Sequence, residues 1–340
     1  MKVLVTGGAG YIGSHVVCQL GEAGYEIVVY DNCSTGEASA VLYGDLVVAD
    51  LANVEYLWNT FAQHQFDAVI HFAASTVVPE SVRSPLDYYG NNTRNTLNLL
   101  RCCQAFDVNQ FVFSSTAAVY GSPAQNPVLE TTPTQPINPY GCSKLMSETM
   151  IRDYAAASDL RYVILRYFNV AGADSALRIG QCTPNATHLI KVTCQTALGQ
   201  RPSLQVFGTD FPTPDGTGIR DYIHVEDLAA AHVDALRYLH QEGSSEILNC
   251  GYGRGFSVRE VVNKTREVSG VKFLVQEVAP RAGDPACVIA NSEKIRNVLG
   301  WVPQYDNLGV IVKTALEWEK KLTQHAKKPL LFSHRPLVHH

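Results

Sequence analysis

Tyr140 and Lys144 are the pair of side chains in this sequence best suited to chemistry. They lie four positions apart where a helix is predicted to begin, so both can point from one helical face into a common site. A free tyrosine ionises at about pH 10, and a neighbouring ammonium group lowers that pKa by favouring the phenolate. The hydroxyl of Thr116, at the end of an apolar run, can share the same substrate oxygen. These groups could deprotonate an alcohol while a nicotinamide accepts the hydride.

A glycine-rich turn near the N-terminus supplies a context that the Tyr-Lys pair, which alone arises often by chance, does not provide. Gly7, Gly8, Gly10 and Gly13 fit both G-x-G-x-x-G and G-x-x-G-x-x-G, after an apolar strand and before an amphipathic helix. Glycines at these positions permit a tight turn and let the backbone approach a pyrophosphate at the helix N-terminus. We therefore predict a dinucleotide site at this turn.

Asp31 follows the second predicted strand, about 20 residues beyond the glycines, where a carboxylate can accept hydrogen bonds from ribose hydroxyls. A 2′-phosphate would be repelled there. The segment between Lys2 and Arg83 also contains no lysine or arginine that could hold such a phosphate. The sequence therefore favours NAD over NADP, with a simple turn residue as the alternative interpretation of Asp31.

Helical segments alternate with apolar strands predicted at residues 2–6, 26–30, 45–49, 68–72, 110–115 and 161–169. This alternation predicts an α/β protein with a doubly wound, Rossmann-like parallel sheet. Ligands bind such sheets at the carboxyl ends of the strands, where the glycine turn, Asp31 and Thr116 all fall. His71 lies in an apolar run and is interpreted as a core residue. Asn91 is open between a partner that orients Lys144 and a helix cap.

Periodicity weakens after the sixth strand, where Gly, Pro, Thr and Asp become frequent. We predict an NAD-binding domain over residues 1–168, with 219–247 packing back onto it. A smaller α/β substrate-binding domain is predicted over 169–218 and 248–325, and a tail over 326–340. Within the smaller domain we expect a helix around 187–199 and a strand at 203–207.

Composition limits the classes of function. The chain has 340 residues, 46% of them apolar, and a formal net charge of −5, which does not suggest a nucleic-acid partner. No apolar run approaches the roughly 20 residues of a membrane span, and no signal peptide is visible. The nine cysteines form no C-x-x-C pair. We therefore expect a cytoplasmic protein with free thiols and no metal site.

Several motifs together resemble those of the UDP-glucose 4-epimerases, within the extended short-chain dehydrogenase/reductase family. They are residues 6–14 (TGGAGYIGS), 31–32 (DN), 140–144 (YGCSK), 166–169 (RYFN) and 215–225 (DGTGIRDYIHV). The last is the most specific, because it lies outside the cofactor domain that many relatives share. The resemblance extends to about residue 320.

The resemblance implies reversible epimerisation at C4 of UDP-glucose and UDP-galactose, through a transient 4-keto sugar and a permanently held NAD. Tyr140 would take the proton of the 4-hydroxyl, Lys144 would lower the tyrosine pKa and bind the nicotinamide ribose, and Thr116 would hydrogen-bond the 4-oxygen. It also implies a homodimer formed through the helices after the fourth and fifth strands.

The cofactor-binding residues implied by the resemblance are Gly7, Gly10, Tyr11, Ile12, Gly13, Asp31, Asn32, Asp50, Leu51, Phe72, Ala73, Ala74, Asn91, Ser114, Tyr140, Lys144 and Tyr167. The implied substrate contacts are Thr116, Asn169, His188, Leu189, Gln205, Phe207, Arg220, Val258, Arg281 and Asp284. Two guanidinium groups suit a diphosphate, although both arginines could be ordinary surface residues. Asp50 could equally be a helix cap.

Three alternatives remain. The enzyme could act on a UDP-N-acetylhexosamine, a UDP-pentose or a UDP-hexuronate, and the small Cys287 and Val288 stand where some members carry a larger aromatic side chain. A 4,6-dehydratase is disfavoured, because Ala117 and Ala118 occupy the positions of its acids. A non-catalytic NAD-binding sensor is disfavoured, because the Tyr-Lys pair is present.

Departures from the family pattern are Thr76, in place of a frequent lysine, and His188, in place of a frequent asparagine.

Overall fold

The computed structural model describes residues 1–183, 186–281 and 284–326. Its strands are β1 (Lys2–Thr6), β2 (Glu26–Asp31), β3 (Asp45–Val48), β4 (Ala68–His71), β5 (Gln110–Ser114), β6 (Arg161–Tyr167), β7 (Asn169–Ala171), β8 (Leu204–Phe207), β9 (Ile219–His224), β10 (Glu246–Cys250), β11 (Gly255–Ser257), β12 (Val275–Val278) and β13 (Cys287–Val288). Its α-helices are α1 (Tyr11–Glu22), α2 (Val54–His64), α3 (Val78–Arg83), α4 (Pro85–Tyr88), α5 (Asn95–Ala105), α6 (Pro139–Ala156), α7 (Leu189–Ala197), α8 (Val225–His240), α9 (Val258–Ser269), α10 (Glu293–Leu299) and α11 (Leu308–Ala326).

Seven parallel strands form the central sheet, in the order β10-β6-β5-β4-β1-β2-β3. Their apolar runs are buried on both faces, as Val3, Leu4 and Val5 illustrate, each with no exposed surface. Helices α1 and α8 cover one face, and α2, α5 and α6 cover the other. The sequence order reverses between β1 and β4, which opens a crevice at the carboxyl ends of these strands. The predicted doubly wound sheet is confirmed.

A smaller unit packs beyond those carboxyl ends. It contains a four-stranded sheet of β7, β9, β11 and β13 and a two-stranded sheet of β8 and β12. Helices α7, α9 and α11 pack against one another beside these strands. The helix expected around 187–199 is α7, and the strand expected at 203–207 is β8.

The sheet pairing moves two predicted boundaries. β10 pairs with β6 along its whole length, so the division predicted between 247 and 248 falls inside a strand of the central sheet. The apolar residue Leu248 is fully buried there, and the central unit extends to Cys250. β9 pairs instead with β7, β11 and β13, so residues 219–224 belong to the smaller unit, while α8 packs on the central sheet. The predicted tail, beyond Ala326, lies outside the described residues.

No helix in the described ranges is long and apolar enough to span a membrane. The nine cysteines are free thiols. Within the same ranges, no group of His, Cys, Asp and Glu side chains is arranged to hold a metal ion.

Candidate active site

The start of α6 places Tyr140 and Lys144 at the edge of the central sheet. The Asn138 side chain caps the helix by accepting a hydrogen bond from the Gly141 amide at 2.9 Å, and Pro139 occupies the first turn. Tyr140 therefore lies in the first turn and Lys144 one turn later. Both are buried, with 7% and 2% of their surface exposed.

Lys144 contacts the end of β5. Its ammonium donates a hydrogen bond to the Ser114 carbonyl at 2.9 Å and lies 4.8 Å from the centre of the Phe113 ring. Burial lowers the pKa of Lys144 to about 7, and the negative charge of Glu148 opposes that shift. The lysine can therefore change its charge close to neutral pH.

The Thr116 side chain lies close enough to the Tyr140 phenol to interact with it. Burial raises the pKa of Tyr140, and the polar interaction with Thr116 acts in the opposite direction. The sequence predicted that Lys144 would lower this pKa, but the ammonium is engaged by the Ser114 carbonyl instead. The Thr116 and Tyr140 hydroxyls thus lie next to each other, with Lys144 beside them.

The glycine turn is closed by contacts that only glycine permits. Gly7 has a φ of +73°, and a Cβ added at Gly13 would lie 2.2 Å from the Gly7 carbonyl oxygen. Gly10 caps α1 with no side chain, so the amides of the first turn have no intrahelical acceptor and face outward. A helix N-terminus of this form is suited to a pyrophosphate.

Asp31 lies against that turn. Its two carboxylate oxygens accept hydrogen bonds from the Ala9 amide at 2.9 Å and the Cys33 amide at 2.8 Å. Asn32 donates to Asp50 at 2.8 Å, which brings these two predicted cofactor residues together. The acidic group therefore stands beside the glycine turn, as a contact to a ribose requires.

The remaining predicted cofactor residues lie at the ends of the neighbouring strands. Phe72, Ala73 and Ala74 follow β4 and are half-buried. Tyr167 ends β6, and its hydroxyl accepts a hydrogen bond from Ser114 at 2.9 Å. Leu51, unlike these residues, is buried in the core under α2 and α5.

Asn91 is not a helix cap, and its side chain donates a hydrogen bond to the Ser75 hydroxyl at 2.9 Å. It lies inside a π-helical segment, Tyr89–Arg94, between α4 and α5. Asn92, which the sequence did not single out, donates to Ser143 of α6 at 2.9 Å. Such π-helical turns often occur at functional sites, but no sequence signal identified this one. His71 is a core residue, as interpreted, held by Thr6 and Thr96 at 2.6 and 3.0 Å.

The two arginines predicted to bind the substrate, Arg220 and Arg281, are both connected to Asp284 in the smaller unit. Arg220 forms an ion pair with Asp284 at 2.7 Å. The Asp284 amide donates to the Arg281 carbonyl at 3.2 Å, and the Arg281 guanidinium lies 3.9 Å from the centre of the Phe207 ring. This arrangement brings together two cations, an aromatic ring and a carboxylate.

His188 and Leu189 lie at the N-terminus of α7. The His188 ring nitrogen Nδ1 is 2.9 Å from the side-chain nitrogen of Gln181, a residue that the sequence did not indicate. Leu189 and Val258 pack on the small core beneath β8, whereas Gln205 of β8 is exposed. Asn169 pairs with Tyr222 in the β7–β9 register.

Comparisons with known proteins show the family to which the chain belongs. Residues 3–251 match the family model described as the NAD dependent epimerase/dehydratase family. The UDP-glucose 4-epimerase of Azospirillum brasilense is 57% identical, with 95% of this chain and 93% of that protein covered. The crystal structure of a Brucella ovis UDP-glucose 4-epimerase in complex with NAD is 46% identical, with a TM-score of 0.91 over 93% of this chain and 97% of that one. The UDP-Glc/GlcNAc 4-epimerase of Campylobacter jejuni is 49% identical, with a TM-score of 0.84 over 94% and 99%.

Proposed function

The chain belongs to the NAD dependent epimerase/dehydratase family, and we infer from this premise that it interconverts UDP-glucose and UDP-galactose. It is an NAD-dependent isomerase that inverts C4 of the sugar through a transient 4-keto form. The observation that carries the assignment to particular residues is the burial of Tyr140 beside Thr116, with Lys144 one turn along the same helix.

NAD, when bound, supplies the reversible hydride acceptor for C4. We assign to Tyr140 the removal of the proton from the 4-hydroxyl and its later return to the 4-oxygen. Thr116 hydrogen-bonds the same oxygen and holds it against the phenol. The keto sugar turns over within the site between the two transfers, so both of its faces meet the same protein groups. The reaction therefore has no net redox change, and cofactor exchange is unnecessary.

The residues present fit NAD. A side chain at Gly13 would collide with the Gly7 carbonyl, so these glycines permit the tight turn that presents the N-terminus of α1 to a pyrophosphate. Asp31 beside the turn suits a ribose and repels a 2′-phosphate. We assign Lys144 to the nicotinamide ribose.

The diphosphate of the substrate is assigned to Arg220 and Arg281, whose guanidinium groups match its charge. Phe207 is assigned to the uracil ring, because it lies under the Arg281 guanidinium at the same turn. Binding would exchange the Arg220–Asp284 ion pair for a contact with phosphate. Asn169, His188 and Leu189 complete the proposed substrate side.

A second substrate class is supported by the strand β13. Cys287 pairs with Ile219, next to Arg220, and its side chain is small and partly exposed. A small residue there leaves room for an N-acetyl group, and the similar Campylobacter jejuni protein is described as a UDP-Glc/GlcNAc 4-epimerase. We therefore propose that UDP-N-acetyl sugars are also accepted.

We also propose that the protein is a cytoplasmic homodimer, paired through α5 and α6. Met146 of α6 is 48% exposed, and Leu86 and Val82 on the adjoining α4 and α3 are 81% and 62% exposed. A second copy would cover this apolar surface. Light scattering of the purified protein tests the dimer, and a monomer at micromolar concentration would contradict it.

The decisive experiment is incubation of the purified protein with UDP-galactose and no added NAD. Formation of UDP-glucose is expected, and it would report both the reaction and a retained cofactor. Tyr140→Phe is the matched loss-of-function variant. No turnover of any UDP-hexose, UDP-N-acetylhexosamine, UDP-pentose or UDP-hexuronate, with or without NAD, would overturn the proposal.

A further inference from the structure

A buried ion pair joins α6 to β6 just below the candidate active site. Arg166 and Glu148 are 4% and 1% exposed at their side chains. Arg166 donates through Nε to both carboxylate oxygens, at 3.0 and 3.2 Å, and through Nη2 at 2.5 Å. Two charges taken out of water need such close contact and additional hydrogen bonds to remain favourable. The pair is therefore well placed to hold its neighbours rigidly.

Ser115 connects this ion pair to the reacting groups. Its hydroxyl donates a hydrogen bond to Oε1 of Glu148. Ser115 follows Ser114, whose carbonyl accepts a hydrogen bond from the Lys144 ammonium at 2.9 Å, and it precedes Thr116, whose side chain interacts with the Tyr140 phenol. Two side chains of α6, one turn apart, thus hold consecutive residues at the end of β5. Glu148 is therefore bonded to the residue that directly precedes Thr116.

The other side of the ion pair is anchored as well. Arg166 Nη1 donates to the Tyr120 hydroxyl at 3.1 Å, and that hydroxyl donates to Asn249 at 2.7 Å. Tyr120 ends the single helical turn, residues 117–120, that follows Thr116. Both sides of Thr116 are therefore linked to Arg166, through Ser115 and Glu148 before it and through Tyr120 after it.

Glu148 also determines the charge around Lys144. The two residues are four apart on α6, on one helical face. The groups that face Lys144 from the sheet are the Ser114 carbonyl and Phe113 of β5 and His71 of β4, whose pKa is lowered to about 3 by burial. His71 is thus neutral at physiological pH. Glu148 supplies the negative charge that offsets the burial of the ammonium.

We propose that Glu148, held by Arg166, is a positioning residue for Tyr140, Lys144 and Thr116, acting on Thr116 through Ser115 and on Lys144 through its charge. This proposal rests on the proposed epimerase function, in which Tyr140 exchanges the proton and Thr116 and Lys144 bind the substrate and the cofactor. If the ion pair only stabilised the fold, loss of the Glu148 charge and loss of the Ser115 hydroxyl would not affect catalysis in different ways. The two routes can be separated experimentally.

The test measures kcat and KM for UDP-galactose across a range of pH in Glu148→Gln, Ser115→Ala and Thr149→Ala. Thr149 is the neighbouring, exposed residue of α6 and serves as the matched control. Glu148→Gln is expected to lower kcat on the order of 100-fold with little change in KM, because the reacting groups are misplaced. Its activity should also be lost at a pH about one unit lower on the alkaline side, because the Lys144 ammonium loses its counter-charge.

Ser115→Ala keeps the charges of Glu148 and Lys144. It should therefore lower kcat about tenfold without moving the alkaline limb of the pH–activity profile. The double variant should be no slower than Glu148→Gln alone, because both changes break one connection. Thr149→Ala should match the wild type. Unchanged kcat in Ser115→Ala, or an unmoved alkaline limb in Glu148→Gln, would overturn the proposal.

Crystal structures of Ser115→Ala and Glu148→Gln provide a measurement that needs no turnover. The Thr116 hydroxyl is expected to move away from the Tyr140 phenol in both. An unmoved Thr116 would contradict the positioning role even if the wild type proved inactive on every UDP-sugar. The failure of this proposal is thereby distinguishable from failure of the epimerase function. Ser115→Ala also keeps the test available if Glu148→Gln, which leaves Arg166 buried without its partner, does not fold.

Discussion

The Tyr11 hydroxyl donates a hydrogen bond to the Gly172 carbonyl at 2.7 Å, and this contact joins the glycine turn to the smaller unit. Tyr11 begins α1, directly after the glycines, whereas Gly172 follows β7. The cofactor turn and the first strand of the substrate side are thus connected by a single side chain. The relationship also explains why the Tyr11 phenol is turned toward the protein.

Tyr11→Phe is expected to lower the free energy of unfolding by about 1–3 kcal/mol, because it leaves the Gly172 carbonyl without its donor. Urea unfolding of the NAD-loaded protein measures the change. Tyr25→Phe is the matched control, because the Tyr25 hydroxyl has no hydrogen-bond partner among the described residues. Equal stability losses in the two variants would show that the Tyr11 bond has no special role.

Tyr140→Phe is expected to lower kcat for UDP-galactose by a factor of about 100 to 10,000, because it removes the group that exchanges the proton. The fold should be retained, since the ring keeps its packing. Circular dichroism and NAD content check this retention. A variant with wild-type kcat would exclude Tyr140 as the acid and base.

Asp31→Ala should reduce the NAD retained by the purified protein, because the ribose loses its acceptor. It also removes the acceptor for the Ala9 and Cys33 amides, so the glycine turn becomes less ordered. NAD released by denaturation and measured by absorbance gives the occupancy. Asp45→Ala, which removes an exposed carboxylate at the start of β3, is the comparison. Full NAD occupancy in Asp31→Ala would remove Asp31 from the cofactor site.

Cys287→Tyr is expected to suppress turnover of UDP-N-acetylglucosamine while UDP-galactose turnover changes little, because a large ring would fill the space proposed for the N-acetyl group. The ratio of kcat/KM for the two sugars is the measurement. Cys287→Ser, which keeps the small volume, should preserve the ratio. Absence of any UDP-N-acetylglucosamine turnover by the wild type would remove the hypothesis.

Buried histidines make the fold sensitive to acid. Burial lowers the pKa of His71 to about 3, well below its ordinary value of about 6.5. The unfolded chain therefore binds a proton that the folded one does not, and stability falls as the pH drops below about 6.5. His71→Gln should reduce this slope of unfolding free energy against pH, and the exposed His240→Gln should leave it unchanged. Equal slopes in both variants would contradict the assignment.

Much of the candidate site could be predicted because its signals are local. The glycine turn, Asp31 and the Tyr140–Lys144 pair each depend on the spacing of a turn, a strand end or one helical turn. Their common location follows from the rule that parallel strands present their carboxyl ends at one edge. The sequence predicted a lowered pKa for Tyr140, and this was wrong, because the spacing of residues does not show that Tyr140 is buried or that Lys144 hydrogen-bonds the Ser114 carbonyl.

Contacts between distant segments escaped prediction for a different reason. Ser115 and Glu148 are 33 residues apart, and Arg166 is 18 residues beyond Glu148. Nothing in the local pattern around any one of them indicates the others. The pairing of β10 with β6 likewise joins segments that are separated along the chain by β7, α7, β8, β9 and α8, so the boundary predicted at 247 fell inside a strand.

The sequence by itself determined the alternation of strands and helices, the cofactor turn and the residue types of the reaction, because backbone periodicity and side-chain chemistry act over a few residues. Only the tertiary structure decided that Ser115 and Arg166 meet Glu148, and that Thr116 lies beside Tyr140. It also decided that Asn92, rather than Asn91, contacts α6. Burial and hydrogen-bond partnership depend on how the sheet brings remote strand ends together, and that arrangement is a property of the whole fold.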